Sequence, residues 1–226
     1  MADGGLRLNF AEHGAERLPG AAARCLRVLI QALADLPPDR PGIRLHGVTE
    51  LRPYLASSSA IGELAKAVLG SKSRPVRAVL FDKVVANNWS LAWHQDRTIC
   101  VKRKIDLDGY GPWTLKEGMR HVTPPFDLLS RMITLRVHLD DVPAGNAPLL
   151  IAPGSHLAGR VPEARIGEVV ARCGTIACLA SAGDVWLYAT PILHASKPAR
   201  VPLRRRVLQI DFAAEDLPGG LEWLGI

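Results

Sequence analysis

Hydrophobic positions change period part-way along the chain. In residues 21–36, Leu26, Leu29, Ile30 and Leu33 stand at i, i+3, i+4 and i+7, which is the spacing of one helix face. Pro37 and Pro38 end that pattern. A second helix is expected over residues 58–69, with Ser58 or Ser59 as its cap and Gly70 as its stop. From Pro75 onward the texture is that of strands. Residues 76–85, 99–105, 132–140, 149–152, 175–179, 184–189 and 203–212 are short β-rich runs separated by Pro, Gly and Asp. One helix interrupts them, at residues 162–172.

This order predicts an α+β, mainly β, chain built as a sandwich or jelly roll. Its 226 residues suit a single domain, 1–226. A helical region, 1–72, is expected to lead into a β core, 73–226. The run at 132–140 is the most informative strand. Ile133, Leu135, Val137 and Leu139 fall on one face, and Thr134, Arg136, His138 and Asp140 on the other. That polar face is either a solvated outer surface or the lining of a barrel that holds charged small molecules. Periodicity alone does not separate the two. In the second case Arg136 would meet an anionic ligand, with Asp140 or another internal carboxylate as its plainer partner.

Composition narrows the picture modestly. The net charge of +6 permits an anionic partner, but the basic residues are scattered and only Arg204, Arg205 and Arg206 form a dense run. Nucleic acid is therefore not expected as a partner. Cysteines at 25, 100, 173 and 178 form no C-x-x-C, so neither a zinc site nor a disulfide framework is expected. No leader or membrane-spanning run is visible, and a cytoplasmic monomer or homodimer is the expectation.

The chemistry begins at Trp93-His94-Gln95-Asp96. Residues two apart on a strand share a face, so His94 and Asp96 can grip one metal from one side. A third ligand from elsewhere would complete a 2-His-1-carboxylate set, which leaves positions open for cosubstrate and dioxygen. Histidines 13, 46, 121, 138, 156 and 194 are the candidates. His194 stands about eleven residues before the arginine run, and a guanidinium binds a carboxylate bidentately where lysine does so less well.

These pieces occur with others in a fixed order: Leu80-Phe81-Asp82-Lys83, Asn88-Trp89, Leu139-Asp140-Asp141, Pro153-Gly154-Ser155-His156, Gly183-Asp184-Val185 and His194-Ala195-Ser196. Together they resemble the phytanoyl-CoA dioxygenase family over residues 76–223. The resemblance implies a cupin-like double-stranded β-helix with the N-terminal helices packed against it. It also implies Fe(II), 2-oxoglutarate and O2, with succinate and CO2 as co-products. His94, Asp96 and His194 would hold iron, and Arg205 the far carboxylate of 2-oxoglutarate, with Arg206 as the neighbouring register. Asp96 favours hydroxylation of an unactivated C–H, because halogenating relatives lack this carboxylate. Two departures stand out: Asn146-Ala147 where the family often has Asn-Gly, and Pro198-Ala199 where it has Pro-Asn.

Lys83, Asn88 and Thr134 join Arg136 as further candidates for contact with cosubstrate or substrate. Lys83 and Asn88 could equally cap a strand and a turn, and His156 reads as structural. The expected substrate is a small molecule, an amino acid or biosynthetic intermediate, with an acidic group as one possibility. Two other functions remain open. One is a non-catalytic jelly roll that binds metal or ligand. The other is a nucleic-acid demethylase of the AlkB type, which shares H-x-D, a late histidine and arginines.

Overall fold

A computed structural model describes residues 8–37, 40–86, 88–201 and 203–226. In the N-terminal third the elements are α1 (Phe10–His13), β1 (Ala15–Leu18), α2 (Leu26–Ala32), β2 (Ile43–Leu45), α3 (Arg52–Leu55) and α4 (Ala60–Leu69). Then come β3 (Arg74–Lys83), β4 (Leu91–His94), β5 (Ile99–Val101), β6 (Trp113–Lys116), β7 (Met119–Val122) and α5 (Phe126–Ser130). The rest comprises β8 (Ile133–His138), β9 (Leu149–Ile151), α6 (Ile166–Cys173), β10 (Ile176–Cys178), β11 (Val185–Ala189), β12 (His194–Ser196) and β13 (Arg205–Ala213).

Two antiparallel sheets face each other. The larger has the order β1-β11-β8-β13-β3-β2 and the smaller β10-β9-β12-β4, with a three-stranded appendage β5-β7-β6. This is the jelly roll that the strand pattern predicts. The helices cover one face of the large sheet. Leu29 and Leu33 from the α2 region and Ile61 and Ala65 from α4 pack on Leu80, Leu135, Val137, Leu208 and Ile210. Ser59 caps α4 by accepting from the Gly62 N–H at 3.0 Å, and Gly70 closes it.

Two expectations need correction. The N-terminal third is not only helical, because β1 and β2 form the two edges of the large sheet. Four-residue and three-residue strands carry too little periodicity to be distinguished from loop. The run at 21–36 forms only a short 3-10 turn and α2, and its stop at Pro38 lies outside the described residues. Pro37 is described and follows the helix.

The polar face of β8 points inward. All six of its residues are buried, with the apolar ones against the helices and Thr134, Arg136 and His138 in the space between the sheets. The charged face is therefore a barrel lining and not a solvated surface.

Loops between strands are fixed by buried polar groups from the recurring motifs. Asp184, in the Gly183-Asp184-Val185 turn, accepts from the backbone N–H of Gly20 and of Ser181, each at 2.8 Å, and from Arg17 Nη2 at 2.6 Å. Burial alone would raise this carboxyl. The N–H donors and Arg17 outweigh burial and hold it below the ordinary carboxylate range. A carboxyl depressed in this way stabilises the fold above its unfolded pKa and loses that contribution as pH falls through the folded value. Asp184→Asn removes the charge and should destabilise the protein by about 1–3 kcal/mol at neutral pH. Urea denaturation at pH 7 and again near pH 3 should show the gap between wild type and variant narrowing in acid.

Candidate metal and cosubstrate site

His94 closes β4 and His194 opens β12, and the two strands are paired with these residues directly opposite each other. Side chains opposite one another across a ladder lie within about 5 Å. That is how ligands far apart in sequence meet: the two ring centroids are 4.3 Å apart. Asp96 follows the end of β4 on the same side. The candidate ligand atoms of His94, Asp96 and His194 all lie within 4.8 Å of one another.

Each imidazole is oriented by its own backbone. His94 Nδ1 donates to the Ala92 carbonyl at 2.8 Å and His194 Nδ1 to the Ile192 carbonyl at 3.0 Å. A carbonyl only accepts, so the proton sits on Nδ1 and the Nε2 lone pairs are free for a metal. Burial, the largest effect, pushes His194 down to about 4 and keeps it neutral.

Asp96 is half-buried. Burial would raise its carboxyl, but Arg77 beside it outweighs that and holds it anionic. Arg77 Nη2 donates to Asp96 Oδ2 at 3.4 Å, and Arg77 Nε to Asp211 Oδ2 at 2.5 Å. Gln209 Nε2 reaches Asp96 Oδ2 at 3.5 Å. These contacts engage Oδ2 and leave Oδ1 for a metal. Two imidazoles with Nε2 turned inward and one carboxylate, each supported from behind, fit a divalent first-row ion with open coordination positions.

Gln95 points the other way, as alternation requires, and fastens the surrounding loops. Its Nε2 donates to the Pro191 carbonyl at 2.8 Å and the Gly159 carbonyl at 3.0 Å, and its Oε1 accepts from Val161 N–H at 2.9 Å. In the Pro153-Gly154-Ser155-His156 turn, Ser155 Oγ accepts from the N–H of Leu193, the residue before the second histidine. Gly154 has φ 80°, which a glycine adopts freely. This turn is a brace for His194, and His156 is no part of the site.

The cavity at the triad is lined by Phe81, Trp89, Leu91, Leu149 and Ser196, and by Arg136, Arg205 and Gln209 on the large sheet. Arg205, 3% exposed, donates from Nη1 to the Ala147 carbonyl, and its Nε has no partner among the described residues. Ala147 has φ 50°, the left-handed region, at the position where the resembling family often has glycine. An alanine held there costs on the order of 1–2 kcal/mol, and here it presents its carbonyl to Arg205.

Other candidates are placed elsewhere. Arg206 points to the opposite face and pairs with Asp140 at 2.7 Å, so it does not reach the cavity and Asp140 is no partner for Arg136. Thr134 binds Asp211 at 3.0 Å and Thr190 at 3.1 Å, and so supports the Arg77–Asp211 pair. Lys83 is fully buried and donates to the carbonyls of Trp89 at 2.6 Å and Lys197 at 3.3 Å. Asn88 brackets Ala199, donating to its carbonyl at 3.0 Å and accepting from its N–H at 2.7 Å. Both residues tie down the cavity rim. Arg77, Gln209 and Asp211 do not figure in the motifs. Their inward parity with Lys83 on β3 and Arg205 on β13 is the signal that marks them.

A double-stranded β-helix with two histidines and a carboxylate converging beside buried arginines defines the class of Fe(II)/2-oxoglutarate-dependent oxygenases. Residues 48–207 match the family model described as phytanoyl-CoA dioxygenase (PhyH), and the chain belongs to that family. Its members use Fe(II), 2-oxoglutarate and O2. Solved structures share the fold. EctD from S. alaskensis with 2-oxoglutarate and 5-hydroxyectoine is 18% identical, with a TM-score of 0.63 over 90% of this chain and 73% of that one. HygX from Streptomyces hygroscopicus with nickel, 2-oxoglutarate and hygromycin B is 15% identical, with a TM-score of 0.61 over 90% and 84%. SnoN, a non-heme alpha-ketoglutarate-dependent epimerase from nogalamycin biosynthesis, is 18% identical, with a TM-score of 0.63 over 93% and 85%. No curated protein matches the sequence.

The contact between Arg77 and Asp96 has a measurable consequence. Replacing Arg77 alone would leave Asp211 as an uncompensated buried charge, so the informative variant is Arg77→Met with Asp211→Asn. It should bind Ni(II) about 10- to 100-fold more weakly than wild type by calorimetry, while Asp184→Asn, remote from the metal, should bind it as wild type does.

Proposed function

We propose that this enzyme hydroxylates an unactivated C–H bond of a small molecule, an amino acid or biosynthetic intermediate. In this reading His94, Asp96 and His194 hold Fe(II), and Arg205 holds the distal carboxylate of 2-oxoglutarate. The bound metal, with cosubstrate and O2, supplies the oxidation that splits 2-oxoglutarate into succinate and CO2 and delivers oxygen to the substrate. The chain's own residues do the positioning. His94 and His194 are fixed as Nε2 donors by backbone carbonyls, and Arg77 and Gln209 keep Asp96 turned toward the metal. Phe81, Trp89, Leu91 and Leu149 supply the apolar walls against which a substrate's carbon skeleton would pack.

The observation that carries the reading is Arg205. Burial, and secondarily Arg136, pushes this guanidinium down to about 9. Among the described residues it forms no ion pair, yet it lines the same cavity as the triad. A buried cation without a counterion is costly, and a carboxylate held between it and the metal supplies one. Retention of Asp96 supports hydroxylation over halogenation. A small-molecule substrate is supported by the compounds bound in the EctD and HygX structures.

The test is succinate release from 2-oxoglutarate under air with Fe(II), scored across a panel of amino acids and biosynthetic intermediates. Wild type should release succinate above the metal-free control, and Asp96→Ala should not. Arg205→Met should raise the 2-oxoglutarate requirement by roughly 30- to 1,000-fold, corresponding to about 2–4 kcal/mol for a desolvated charge pair. Arg206→Met should leave it unchanged. The reverse pattern would assign the cosubstrate to the other arginine.

A further inference from the structure

The cavity holds one guanidinium more than the proposed function uses. Arg136 lies at the centre of β8, 5% exposed, opposite Gln209 in the ladder. Its Nη1 donates to Gln209 Oε1 at 2.7 Å, an oxygen that also accepts from the Tyr188 hydroxyl at 3.3 Å. Its guanidinium carbon stands 5.2 Å from the centre of the Phe81 ring. Its Nε, like that of Arg205, is buried with no partner among the described residues. Among the described residues Arg136 forms no ion pair, and its hydrogen-bond partners are neutral. Two nearby carboxylates are already engaged, Asp211 with Arg77 and Asp96 with Arg77 and the candidate metal position.

Two guanidiniums therefore share one cavity whose lining carboxylate, Asp96, is paired with Arg77 and with neither of them, and Arg136 depresses the ionisation of Arg205. His138, on the same face of β8, adds a buried imidazole whose two nitrogens both lack partners among the described residues. A divalent metal makes the positive excess larger. One bound carboxylate has about four acceptor positions and can serve two forks at once.

We propose that Arg136 is a second guanidinium of the cosubstrate subsite, sharing the distal carboxylate of 2-oxoglutarate with Arg205. This rests on the reading of the cavity as a 2-oxoglutarate pocket. The subsite then discriminates more strongly for a charged distal end than one arginine would. An acidic 2-oxo acid is favoured over a neutral-tailed one by two contacts that act on the same group.

Binding to the Ni(II)-loaded protein tests this without turnover. Calorimetry would compare 2-oxoglutarate with 2-oxovalerate, which lacks the distal carboxylate, in wild type, Arg136→Met and Arg205→Met. The expected result is a loss of about 10- to 100-fold in 2-oxoglutarate affinity for Arg136→Met, with 2-oxovalerate changed less than about threefold. If Arg136→Met does not yield folded protein, Arg136→Gln, which keeps a polar partner for Gln209, takes its place with the same expectation. Unchanged 2-oxoglutarate affinity overturns the proposal and leaves Arg136 for the substrate or for packing. Equal losses for both acids overturn it too, since the effect then does not run through the distal carboxylate. A wild type that binds neither acid overturns the underlying reading instead. Weakening by Arg205→Met alone keeps that reading and removes only Arg136.

Discussion

Burying Arg77, Arg136, Arg205 and Lys83 between two sheets costs several kcal/mol per ion unless each charge is compensated. The way the chain meets that cost arranges the site. Arg77 is compensated internally, by Asp211 and Asp96. Lys83 has two backbone carbonyls and lies 4.7 Å from the centre of the Trp89 ring, while burial and the charge of Arg205 push it down to about 8. Among the described residues, Arg136 and Arg205 have only neutral hydrogen-bond partners. The interior is thus balanced at one end and short of negative charge at the other, and in the proposed function a metal with an anionic cosubstrate would complete it.

The same interior links the candidate metal triad to the arginine end of the cavity. On β13, Arg205, Val207, Gln209 and Asp211 share the inward face, so one strand reaches both the arginine end and the network behind Asp96. Gln209 is the connecting residue, with one end of its amide on Arg136 and Tyr188 and the other toward Asp96. The triad itself depends on a single cross-strand pairing, His94 with His194. A one-residue slip of β12 against β4 would turn His194 away from its partner. The Gln95 and Ser155 contacts hold the segments on either side of that pairing.

Much of this was readable from residue types and spacing. Alternation on β8, H-x-D followed by a late histidine, and the arginine about eleven residues beyond it are local patterns that survive folding unchanged. The strand parity that separates Arg205 from Arg206 was also local, and Arg206 does face outward to Asp140. The short strands β1, β2, β4 and β12 were not readable as strands, because three or four residues form a strand only when a longer neighbour supplies the hydrogen bonds. The roles of Lys83, Asn88 and Thr134 were open in sequence. Each could reach a ligand or a backbone group, and which one depends on loops that approach from distant parts of the chain.

The sequence by itself determined the sandwich class, the residue types of the candidate triad and the inward parity of the arginine, because these follow from side-chain period and from the chemistry of each group. Tertiary structure alone decided that the polar face of β8 is an interior. A strand's alternation is the same whether its polar side meets water or another sheet, and only the second sheet closing over it settles which. It likewise decided that Ala147 takes a left-handed turn to offer its carbonyl to Arg205, that Arg77 stands behind Asp96, and that Arg136 forms no ion pair among the described residues. Each of these depends on which charges are brought together out of water, and that is a property of the packed chain.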